Sequence, residues 1–150
     1  MITLKNRQRK IKIDTARIIK EVQHILEILK YADFDIGIWI TTNKTIRFYN
    51  KTYRHKDKPT DVLSFPYYPE LKAGERIKPH CDDDKNLGDL ILSAEYIVQE
   101  AKKHKVTFEA RLCLLLVHGI CHLLGYDHIQ DADFRRMRTK EAFILKKLAP

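Results

Sequence analysis

Apolar positions along the chain fall into two alternating rhythms. Ile2 and Leu4, then Ile11 and Ile13, predict an opening strand or hairpin broken by the polar stretch Asn6–Lys10. At Asp14, a good N-cap, the spacing becomes helical and runs to about Lys30, with Ile18, Val22, Ile25, Leu26 and Leu29 on one stripe. Phe34, Ile36, Ile38 and Ile40 alternate with Asp35, Gly37, Trp39 and Thr41, the mark of a half-buried strand. Thr42 or Asn43 can cap a short helix carrying Ile46, Tyr49 and Tyr53. A polar loop, Arg54–Asp61, precedes a short strand, Val62–Phe65, closed by Pro66. Residues 67–86 are polar and hold Pro69, Gly74, Pro79 and the acidic run Asp82–Asp84, so they read as a mobile surface loop. Leu87–Leu92 is a further strand, and Ser93 caps a helix that turns Ala94, Ile97, Val98 and Ala101 inward. Thr107 starts the most apolar helix, which ends at Leu124. Asp131 caps the last, striped by Phe134, Met137, Ile144, Leu145 and Leu148.

About four strands interleaved with about five helices predict an α+β fold. We expect a single domain over residues 1–150, with one mixed sheet whose strand order the pattern leaves open. The length of 150 residues is enough for a real core. No apolar run is long enough to span a bilayer, and the charged start lacks the apolar stretch of a secretory signal. A cytoplasmic location and no membrane partner are therefore expected. Cys81, Cys113 and Cys121 are odd in number and irregularly spaced, which does not suit a disulfide framework. The net charge of +8 favours an anionic partner such as nucleic acid.

The chemistry concentrates in HGICHLLGYDH, residues 118–128, which holds three of the seven histidines. His118 and His122, four apart, project from one helix face. Gly125 can end the helix in a left-handed conformation and swing His128 back toward them. Three neutral imidazoles around one point suit a single Zn2+ with a free fourth position. Such an ion lowers the pKa of bound water from ~15.7 to about 7, so the site is hydrolytic in kind. Cys121 points away from His122 and reads as a core thiol. Asp127 is either an acceptor that orients an imidazole or a plain turn carboxylate. The spacing also fits that of metzincin proteases, except that Gly119 stands where they carry the general-base glutamate. That departure lowers the case for a peptidase and raises it for phosphodiester cleavage.

A second constellation is YRHKDKPTDVLSFP, residues 53–66. Arg54, Lys56 and Lys58 form a cationic loop suited to phosphate oxygens, and Tyr53 and Phe65 offer rings for stacking on bases. Together with LGDLILS at residues 87–93, these motifs resemble the YbeY family of bacterial ribosomal-RNA maturation endoribonucleases, over about Asn50 to Gln130. The resemblance implies a zinc-dependent, single-strand-specific endoribonuclease acting in small-subunit rRNA 3′-end maturation and ribosome quality control. It implies His118, His122 and His128 as metal ligands and Arg54 as the active-site arginine, with ribosomal RNA and the small subunit as partners and no DNA. Lys56 and Lys58 are expected to bind substrate. The rival readings are another metallohydrolase, such as a peptidase, and a non-catalytic ribosome assembly factor.

Overall fold

In the computed structural model, which describes residues 1–150, four strands form one mixed sheet. β1 (Ile2–Asn6), β2 (Asp35–Thr41) and β4 (Asn86–Ser93) run parallel, and β3 (Val62–Pro66) lies antiparallel to β4 at the edge, in the order β1-β2-β4-β3. The helices are α1 (Thr15–Ile28), α2 (Asn43–Arg54), α3 (Ala94–His104), α4 (Phe108–Leu123) and α5 (Asp131–Leu148). Strand alternation turns Ile36, Ile38 and Ile40, with Leu90 and Leu92 beside them, onto one face. That face meets α4, while α1 packs on β1, α4 and α5, and the shared core includes Ile25, Leu26, Leu116 and Ile120. α2 lies against the other face, where Ile46 packs with Leu63 and Ile91. No single helix is long and apolar enough to cross a membrane.

The caps follow the expected chemistry. Side-chain oxygens of Asp14, Thr42, Ser93 and Thr107 accept from backbone N–H groups three residues on, opening α1 to α4. At α5 the cap position is Gln130, which makes no side-chain capping bond, and Asp131 is the first helical residue instead. Phe134, expected inward, is 45% exposed, whereas Met137 and Ile144 are buried. Nor is there an N-terminal hairpin. β1 pairs in parallel with β2, and Ile11 and Ile13 lie in the connection to α1. Buried Gln8 shapes that connection, its amide donating to Asn6 Oδ1 and to the Ile11 carbonyl while its oxygen accepts from Ile11 N.

The segment 67–86 is pinned rather than loose. Ile77 is buried, and its N–H donates to the Tyr31 hydroxyl at 3.1 Å. The Arg76 guanidinium lies 3.8 Å over the Tyr31 ring and donates to the carbonyls of Leu29 and Lys30. Those carbonyls follow the last turn of α1, where orphan acceptors need donors. One arginine thus closes α1 and anchors the loop together. Arg76→Ala should speed amide hydrogen exchange across residues 72–78 by at least about 10-fold and lower stability by about 1–2 kcal/mol. Unchanged protection in that variant would show that Ile77 alone holds the segment.

Candidate metal centre

α4 is apolar nearly all round, yet it presents two imidazoles one turn apart. The rings of His118 and His122 meet edge to face, with centroids 4.6 Å apart. After Leu124, Gly125 adopts φ +91, which an L side chain rarely tolerates, and a Cβ there would collide with the Leu71 carbonyl. The Tyr126 N–H closes the turn on the Cys121 carbonyl at 3.1 Å. This reversal brings the His128 ring to 5.2 Å from His122 and 5.7 Å from His118. One ring nitrogen from each histidine lies within 4.8 Å of the other two.

Two acceptors set the tautomers. His122 Nδ1 lies 2.9 Å from the Tyr126 carbonyl, which can only accept, so Nδ1 carries the proton. His118 Nδ1 lies 3.1 Å from Glu141 Oε2, a carboxylate that favours the same tautomer. Both Nε2 atoms then bear lone pairs, and they face each other at 3.1 Å. Two acceptors at that distance repel unless a cation lies against both, so the donor set fits a metal ion. Burial, then the neighbouring His118 and His128, pushes the His122 pKa down to about 4. It is neutral at neutral pH, as a ligand must be. Burial pushes the Cys121 thiol up to about 12, which leaves it a core thiol. Asp127 orients no imidazole: its Oδ1 accepts from the Ile129 N–H, a turn contact.

Glu141 escaped the sequence reading because it lies 23 residues from His118. A signal existed. Glu141 falls between Met137 and Ile144 on the buried stripe of α5, where a carboxylate needs a partner. Gly119 has a packing reason. A Cβ there would stand 2.9 Å from Leu90 Cδ2 and 3.5 Å from Ser64 Oγ, and the Ser64 hydroxyl donates to the Gly119 carbonyl. A glutamate at this position would drive into the sheet, so the protease base has no place here.

His118, His122, His128, Arg54, Lys56 and Lys58 all line one cleft of about 670 Å3. Arg54 Nη2 donates to the Ser64 carbonyl at 2.6 Å, and the guanidinium carbon sits 4.9 Å from the Phe65 ring centroid. The lysine loop is held from beneath by buried Asn50, whose side-chain amide donates to the Lys58 carbonyl at 2.9 Å while its backbone carbonyl accepts from Lys56 N. The stacking residues depart from expectation. Tyr53 and Phe65 do not line this cleft; they line a hollow on the opposite face of the sheet, because alternation along β3 turns Phe65 away from its neighbours Ser64 and Pro66.

A three-histidine cluster that could hold a metal ion, opening on a cleft that Arg54, Lys56 and Lys58 line and carried by an α+β scaffold, suits a hydrolase of anionic substrates. The chain belongs to the endoribonuclease YbeY family, an RNA-cleaving class, whose family model matches residues 3–149. It is 40% identical over 147 residues to human "Endoribonuclease YbeY", covering 98% of this chain and 87% of the human protein. It is 41% identical over 144 residues to the protein of that name from Geobacter metallireducens, covering 93% and 90%. The solution structure of TM1509 from Thermotoga maritima superposes with a TM-score of 0.64 at 24% identity, over 98% of this chain and 88% of that one, which shows the shared fold.

Glu141→Ala should weaken Zn2+ retention about 10–100-fold, as loss of an imidazole's partner does at metal sites. Equilibrium dialysis reads the affinity. His122→Ala and His128→Ala should lose more, and full stoichiometric binding in both would exclude the cluster as the metal site.

Proposed function

We propose that this chain is a zinc-dependent endoribonuclease that cuts single-stranded RNA, with ribosomal RNA as its substrate. Its place is maturation of the 3′ end of the small-subunit (16S) RNA and ribosome quality control, in the cytoplasm, in contact with the small ribosomal subunit. The observation that carries this reading is the convergence of the three histidines on the cleft that Arg54 enters. When bound, zinc supplies Lewis acidity and an acidified water at neutral pH.

The chain's own groups do the rest. Tyr126 O and Glu141 hold the Nδ1 protons of His122 and His118, which keeps both Nε2 lone pairs aimed at one point. The Ser64 carbonyl fixes one Arg54 donor, leaving the others to grip phosphate oxygens and offset charge that builds on them. Lys56 and Lys58, exposed at the rim, draw in the RNA backbone and contribute affinity more than rate. A flexible strand can bend one phosphate into the cleft, whereas an A-form duplex holds its phosphates on a stiff cylinder.

In rigorously purified protein, chelation should abolish cleavage and Zn2+ should restore it. Activity that persists after complete metal removal would overturn the mechanism and favour a non-catalytic assembly factor. Arg54→Ala should cut kcat about 100-fold with metal retained, while Lys58→Ala should mainly raise KM. Equal losses confined to KM in both variants would reduce Arg54 to one member of a basic patch. One sequence presented as a single strand should be cut faster than as a perfect duplex, and equal rates would remove the single-strand preference.

A further inference from the structure

The hollow behind β3 has a volume of about 260 Å3 and lies on the sheet face that α2 only partly covers. Trp39, Tyr49, Tyr53 and Phe65 wall it, with Ile91 and Asp89 from β4 completing the lining. Trp39 is 38% exposed and Tyr53 55%. Tyr49 and Tyr53 stack at 6.1 Å, and Tyr53 meets Phe65 edge to face at 5.4 Å. Among these rings stands one carboxylate. Asp89 is exposed and pairs with no cation or donor of the protein. Its register partner on β2 is Gly37, and a Cβ there would collide with the carboxylate. The bare backbone at Gly37 is what leaves room for Asp89 between the rings. Cations stand at the margins, Lys5 5.6 Å from the Trp39 ring centroid and Arg54 4.9 Å from that of Phe65.

We propose that this hollow binds a nucleobase of the RNA strand whose backbone enters the metal cleft, and that Asp89 makes it selective for guanine. The proposal rests on the nuclease reading above for its source of ligand. Aromatic faces stack on any base. The carboxylate discriminates, because it can only accept. Guanine presents N1–H and N2–H2 side by side, two donors for two oxygens. Adenine and cytosine offer one amino group beside an acceptor nitrogen, and uracil one N–H between two carbonyls, which the carboxylate repels. An apolar protein partner suits the site poorly, because it would bury Asp89 without a donor. Continuity also favours the same RNA. Ser64 and Pro66 line the cleft, Phe65 between them lines the hollow, and Arg54 reaches both across the edge strand.

Trp39 is the single tryptophan of the chain, so its fluorescence reports on the hollow. GMP, AMP, CMP and UMP are titrated into the zinc-loaded full-length protein. GMP should change the emission saturably, with an affinity at least about 10-fold above that of UMP. Asp89→Asn should bring GMP to the level of UMP, and Tyr53→Leu should weaken all four nucleotides. His128→Ala, altered at the metal cluster, should keep the GMP response, so a failure of the nuclease reading leaves this measurement standing. Equal affinities for the four nucleotides, a guanine preference that survives Asp89→Asn, or no emission change in protein that still cleaves RNA would each overturn the slot.

Discussion

The close approach of α4 to the sheet at Gly119 fixes the position of everything the site uses. Without a side chain at that point the helix settles onto Leu90, and the Ser64 hydroxyl ties its backbone to the edge strand. Leu115, Leu116, Val117 and Ile120 lock the same segment in the core. His118 and His122 therefore leave a helix that has almost no freedom to shift, and the turn at Gly125 returns His128 from a known direction. A site on such an element keeps its geometry without the cost of ordering a loop.

The histidine pair shows where the fold is less content. Each imidazole is tautomerically fixed by a partner outside the cleft, Tyr126 O or Glu141, and the price is two lone pairs facing one another. Local consistency is broken at one spot that a cation would restore, the arrangement expected where function rather than stability has set it. Glu141 couples α5 to this balance. The last helix closes the core through Met137 and Ile144, and between them it supplies the carboxylate that orients His118.

Local patterns in the sequence carried much of this. Caps at Asp14, Ser93 and Thr107, the alternation through Ile36–Ile40 and the histidine spacing are short-range signals, and the structure contains the elements they announce. What stayed hidden depends on tertiary packing. Parallel pairing of β1 with β2 leaves no local mark, so Ile11 and Ile13 looked like the return arm of a hairpin. The loop at 67–86 read as free because its anchors, Arg76 and Ile77, find their partners around Tyr31, more than forty residues away. Tyr53 and Phe65 were read as rings able to stack on bases, but which side of the sheet they face relative to the metal cluster depends on strand register, which the sequence pattern does not specify.

The bond from Arg54 to the Ser64 carbonyl has a consequence outside RNA chemistry. Asp61 O and Tyr67 N both bond to β4, so the odd-numbered residues of β3 point inward to their neighbour and the peptide groups of Ser64 point outward. β3 is thus an open rim of the sheet, the kind of surface on which a second chain can add a strand and start aggregation. The guanidinium occupies the outward carbonyl, and Pro66 contributes no N–H to the rim. The arginine that enters the cleft thus also occupies a rim acceptor on which a further strand would have to pair. One side chain therefore serves both the cleft and the exposed rim of the sheet.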